Sequence, residues 1–122
     1  MTDNLTFLKK VREIYGDPAK RTKGNYAVDE YGYRCGATSP NAVCWCFLGA
    51  VRKAGDEVLE YMGNESERAW ERVAQGCITI PDTFDCFIQY VINLNDEIEG
   101  GQDQLLAAVD CAIAKLETQV QG

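Results

Sequence analysis

The stretch Ser39-Pro40-Asn41-Ala42-Val43-Cys44-Trp45-Cys46-Phe47-Leu48-Gly49-Ala50-Val51-Arg52-Lys53-Ala54 decides how the rest of the chain must be arranged. Ser39 offers a hydroxyl to cap open N–H groups, and Pro40 suits the first helical position, where a missing N–H costs nothing. The pair therefore predicts a helix beginning at residue 40. Ala42, Val43, Cys46, Phe47, Ala50, Val51 and Ala54 fall on one stripe of that helix, and Cys44, Trp45 and Leu48 make much of the opposite side apolar. A helix hydrophobic nearly all round belongs at the centre of its domain. Gly49 weakens such a helix by about 1 kcal/mol relative to alanine, a cost that close approach of another backbone would offset. Gly55 is expected to close it.

On the N-terminal side, Phe7, Leu8, Val11, Ile14 and Tyr15 recur at three-and-four spacing. They predict a helix over 3–15, capped by Asp3 or Asn4 and stopped by Gly16-Asp17-Pro18. Asn25 to Val28, the turn Asp29 to Gly32, and Tyr33 to Cys35 make a hairpin pattern, with Gly32 suited to the left-handed conformation. On the C-terminal side a short helix is expected over Asp56 to Met62, set off by Gly63-Asn64 from a helix capped by Ser66 that turns Ala69, Trp70, Val73 and Cys77 inward. Asp82 or Thr83 is expected to cap a segment carrying Phe84, Phe87, Ile88, Val91 and Ile92, which ends near Asn93. An acidic loop from Asn95 to Gly101 then leads to the most regular stripe in the chain: Leu105, Leu106, Val109, Ala112, Ile113 and Leu116. The expected fold is mainly α, a single-domain bundle of about five helices around a buried central helix, with a small β-hairpin between the first two.

With 122 residues, 46% apolar and 25% charged, the chain has the makings of one soluble core. It shows neither a secretory leader nor an apolar run that would span a bilayer, so a cytoplasmic protein without membrane contact is expected. Cys35, Cys44, Cys46, Cys77, Cys86 and Cys111 are then expected as reduced, buried thiols. The net charge of −7 is unevenly spread: residues 1–55 carry 9 Lys/Arg against 5 Asp/Glu, and residues 56–122 carry 3 against 14. Such an acidic C-terminal half repels phosphates, which argues against nucleic acid as a direct ligand and suits a basic partner surface.

No histidine is present. That removes Ser-His-Asp triads, Cys-His pairs and most catalytic zinc sites together. Cys44, four residues after Pro40, is the thiol a helix start could activate. Cys44 and Cys46 would point roughly 200° apart on a helix and could not readily chelate one ion. Asn93, Asn95, Glu97 and Glu99 alternate like the start of a calcium loop, but Ile98 stands in the glycine's place and Gln104 in that of the bidentate glutamate. Neither a metal nor a cofactor is expected, and no residue is assigned as catalytic.

Around Ala42 to Ala50 the chain resembles an uncharacterised family of small bacterial and bacteriophage proteins. Its members share a hairpin-like segment, then a Ser-Pro-x-Ala-Val-x-Trp-Cys-x-x-Gly-Ala helix, then an Asn-Asp pair leading into an amphipathic C-terminal helix. Here these are Tyr26-Ala27 with Gly32, Ser39 to Ala50, and Asn95-Asp96 followed by Leu105 to Leu116. Leu94 stands where the family often has an aromatic. The resemblance directs attention to Trp45, Cys46, Asn95 and Asp96. Asn95 or Asp96 is expected to hydrogen-bond open backbone groups near the hairpin or the central helix. The sharper expectation is a ligand pocket of Tyr26, Trp45, Asn95 and Asp96 in a non-enzymatic, phage-encoded binding module that takes a host protein with a basic surface or a small molecule. The alternatives are a small hydrolase using Asp96 with Asn95, or Cys44, and a structural protein that self-associates into a homo-oligomer.

Overall fold

The computed structural model describes residues 2–60 and 64–121. Helix α1 (Thr2–Tyr15) buries Phe7, Leu8, Val11, Ile14 and Tyr15, the stripe expected of it, and packs against the second and last helices. Asp3 and Asn4 lie inside its first turn rather than at its cap. The chain then passes through a short 3-10 turn (Pro18–Lys20) whose cap is Asp17. Strands β1 (Ala27–Val28) and β2 (Arg34–Cys35) pair antiparallel, Ala27 opposite Cys35. The Asp29 carboxylate holds their turn by accepting the N–H groups of Tyr31 and Tyr33, and Gly32 has a φ of +84°.

The helix expected from Pro40 does not begin there. Ser39 Oγ accepts the Asn41 N–H, and the Ser39 carbonyl accepts that of Ala42, which makes a single tight turn. The backbone is then captured by the sheet. Val43 donates to the Val28 carbonyl and Cys46 to that of Tyr26, and Cys44–Trp45 forms β3 on the free edge of β1. The sheet is antiparallel in the order β2-β1-β3. Serine and proline act locally, whereas the ladder hydrogen bonds come from residues far back in the chain and outweigh them. Helix α2 (Phe47–Ala54) starts only where Cys46 Sγ accepts the Gly49 N–H.

All-round burial survives in this shorter helix. Phe47, Leu48, Gly49, Ala50, Val51 and Ala54 are buried, and α2 touches α1, α3 and α4. The expected close approach at Gly49 is present: a Cβ there would overlap the backbone carbonyl of Tyr26. Gly55 does not close α2. It keeps right-handed helical angles and opens a π turn (Gly55–Leu59) that ends at Glu60, which has a φ of +57°. Helix α3 (Asn64–Val73) contains Ser66 instead of being capped by it, because that hydroxyl is packed against Gly55. Of the short helix expected over 56–62, Tyr61 and Met62 lie outside the described residues, as does the separator Gly63.

Helix α4 (Phe87–Asp96) is capped by Cys86, later than either Asp82 or Thr83, and Phe84 stays outside it against Tyr90. It also runs past Asn93, so Asn95 and Asp96 form its last turn and not a loop. Gly101 follows without a side chain where a Cβ would strike the Leu94 carbonyl, and α5 (Gly101–Gln121) starts at that point. Its stripe buries Leu105, Ala108, Val109, Ala112 and Ile113. Mostly helical overall, the described residues form these five α-helices and one small antiparallel sheet.

Tyr15, Phe47 and Trp70 make an edge-to-face series through the core, with ring centres 5.0 and 4.9 Å apart. The expectation of six reduced cysteines is overturned. Cys77 and Cys111 form a disulfide across a Cα separation of 5.9 Å, tying the segment after α3 to α5, while Cys35, Cys44, Cys46 and Cys86 are free. Cys77 sits in a turn beyond the end of α3, where its pairing depends on the path of the chain and not on helical spacing. Among the described residues no helix is long and apolar enough to cross a membrane.

Candidate functional site

Asn95 lies at the junction of three elements, and both atoms of its amide are used twice. Oδ1 accepts the Tyr15 hydroxyl at 2.6 Å and the Phe47 N–H at 3.1 Å. Nδ2 donates to the Thr22 carbonyl at 3.1 Å and to Asp96 Oδ1 at 2.7 Å. The side chain is 3% exposed, so these four bonds take up the whole capacity of a primary amide out of water. Asn95 thus makes the contact to open backbone groups of the central helix. Burial also raises the Tyr15 hydroxyl well above its ordinary range, which keeps it a donor.

Asp96, one residue on, turns toward the hairpin. Its Oδ1 accepts the Gly24 N–H at 3.2 Å. Between this turn of α4 and the strand β1 lies a cleft of about 280 Å³, lined by Tyr26, Arg34, Cys46, Leu48, Asn95 and Asp96 together with Gly24, Asn25, Val91 and Ile92. Tyr26 is held at its rim by a polar group of its own. Its hydroxyl donates to Glu67 Oε1 at 3.2 Å and accepts from Arg52 Nη2 at 3.1 Å, and the Arg52 guanidinium lies 4.0 Å from its ring centre. Arg52 completes this group with Glu67, at 3.0 Å. Burial, followed by the nearby Glu67 carboxylate, raises the Tyr26 hydroxyl.

Cys46 contributes a thiol to the cleft that burial pushes up to about 11. At neutral pH it is a protonated, weakly polar wall that accepts the Gly49 N–H at 3.3 Å. The helix start at Pro40 that was to activate Cys44 is gone, and Cys44 lies on β3 with its sulfur 3.6 Å from the Ala19 carbonyl. Among the described residues no group of three or more Cys, Asp or Glu could hold a metal ion.

Three of the four residues expected to share a pocket therefore meet in one cleft: Tyr26, Asn95 and Asp96. Trp45 does not. Its side chain is 8% exposed and faces away from the cleft lining, with Nε1 donating to the Ala37 carbonyl at 2.9 Å. Strand alternation sends the side chains of Trp45 and Cys46 to opposite sides. Arg34, Leu48, Val91 and Ile92 escaped the sequence. Ile92 and Val91 read only as core, and nothing in the spacing of Arg34 announces that β2 brings it to α4.

Residues 1–115 match a family of unknown function, DUF6197. The chain belongs to this family. Every residue lining the cleft falls inside the DUF6197 match, as do the Asn95 junction and both halves of the disulfide. No curated protein and no solved structure matches this DUF6197 chain.

Proposed function

We propose that this chain is a non-enzymatic binding module, a bundle about α2, whose cleft between β1 and α4 takes up a small amphipathic molecule. The observation that carries the proposal is the cleft itself, in which Leu48, Val91 and Ile92 supply apolar surface beside the polar groups of Tyr26, Arg34 and Asp96. A recess that is mostly apolar with a few placed polar groups is the usual form of a small-molecule site. At about 280 Å³ it falls just under the roughly 300–1,000 Å³ of sites for drug-sized ligands. The hydrolase alternative finds less support. Asn95 has no lone pair or proton to spare, and Cys44 lies on β3, away from the helix start at Phe47 that was to activate it. On the strength of the motif resemblance we propose a bacterial or phage origin, in which sequestering a small molecule is a complete task.

Ile92→Trp tests the proposal, because Ile92 lines the cleft and is only half-buried. A fragment library screened by NMR against the wild type should shift amide resonances of Gly24, Tyr26 and Asp96. The variant, with its melting temperature kept, should lose those shifts. Hits that ignore the variant, or an absence of hits at the cleft, would overturn the assignment.

One observation favours a protein partner as a second reading. Tyr31 and Tyr33 are 76% and 71% exposed on a turn fixed by Asp29, and rigid solvent-facing aromatics are frequent anchors of interfaces. A basic host protein would be drawn by the net charge of −7. Its binding should weaken with salt and fail in Tyr31→Ser/Tyr33→Ser.

A further inference from the structure

The cleft contains two opposite charges that leave each other uncompensated. Asp96 and Arg34 both line it, yet among the described residues neither has an ion-pair partner. The Asp96 carboxylate is anchored through one oxygen, Oδ1, by the Gly24 N–H and the Asn95 amide. Among the described residues its Oδ2 makes no hydrogen bond. Arg34 comes from β2, paired in register with Val28, and its side chain is exposed where it lines the cleft. An acidic and a basic residue that line one small recess without forming an ion pair suit a ligand that carries both complementary charges.

We infer that the cleft binds a small apolar zwitterion of the amino-acid class, with its ammonium on Asp96, its carboxylate on Arg34 and its side chain on Leu48, Val91 and Ile92. This rests on the cleft being a ligand site. Each charge meets an opposite one, Arg34 offers the planar fork that suits a carboxylate, and the apolar wall gives the side chain a place out of water. The small volume limits the ligand to an amino acid or a peptide of two residues. Loss of either charge-assisted contact should weaken binding by about tenfold or more.

The experiment is an NMR titration of the isotope-labelled full chain with leucine, 3-methylbutylamine (leucine without its carboxylate), 4-methylpentanoate (leucine without its ammonium), glycine and leucyl-leucine. Leucine or the dipeptide should bind at least tenfold more tightly than the amine, the acid or glycine. Whichever of those two is tighter identifies the source, a free amino acid or a short peptide. Arg34→Gln should bring leucine down to the level of 3-methylbutylamine, and Asp96→Asn, which keeps an acceptor for Gly24, should bring it down to 4-methylpentanoate. Equal affinities for all the compounds, or library fragments that enter the cleft while the zwitterions do not, would overturn the inference and leave the ligand site standing. If neither zwitterions nor fragments shift the cleft resonances, the site assignment falls as well.

Discussion

Asn95 Oδ1 accepts the Phe47 N–H at 3.1 Å, so the last turn of α4 caps the first turn of α2 across 48 positions of sequence. The first N–H groups of a helix have no partner inside it, and Phe47 opens a helix that lies in the core. Asn95→Ala would strand that N–H together with the Tyr15 hydroxyl and the Thr22 carbonyl. Each buried group left unpaired costs about 1–3 kcal/mol, partly relieved where water can enter. Urea denaturation should show a loss of about 3 kcal/mol. A loss below about 1 kcal/mol would mean that the junction does not hold the helices together.

Gly49→Ala separates two effects of opposite sign. Helix propensity alone favours alanine by about 1 kcal/mol. The added methyl, however, would overlap the Tyr26 carbonyl, which is backbone and cannot swing aside. Forcing β1 away from α2 should destabilise the protein by about 1–3 kcal/mol, the usual range for overpacking. A rise in melting temperature would contradict the close packing described.

The Cys77–Cys111 disulfide closes a loop over a separation of 34 residues. Loops of that order are stabilised by about 2–4 kcal/mol through restriction of the unfolded chain. Cys77→Ala/Cys111→Ala should lose an amount in that range, read by chemical denaturation. Thiol titration of the unfolded, unreduced wild type should count the four cysteines Cys35, Cys44, Cys46 and Cys86. A count of six would show the pair to be reduced.

Burial raises the Cys46 thiol from 9.0 to about 11. The folded protein therefore holds that proton to higher pH than the unfolded chain does, and this contribution to stability is present below pH 9 and is lost as pH climbs toward 11. Alkylation at pH 8 followed by peptide mass spectrometry should find the exposed Cys86 modified well before Cys46. Comparable rates would place the Cys46 sulfur in water.

Long amphipathic segments were the most legible part of the chain. In α1 and α5 the repeat covers three turns or more, and the buried residues are largely those the spacing selects. Where the apolar run was short, periodicity could not separate strand from helix. Residues 43–46 therefore read as helix, although they complete the sheet. The same ambiguity explains Trp45, expected on the side of a helix opposite Cys46 and held by the strand with its Nε1 on the Ala37 carbonyl. Asn95 and Asp96 were legible as a pair through their motif, though not as the end of α4. Arg34 and the partner of Cys77 were not, because each depends on where separate stretches of chain cross.

The Tyr26 peptide belongs to both the recess and the interior. Its carbonyl accepts the Cys46 N–H and lies directly over Gly49, while its side chain borders the opening. Widening the mouth at this point would break a strand and lift it from the spine of the molecule. A guest of the proposed site would therefore meet a shape set before its arrival, and its affinity would add to the work of unfolding.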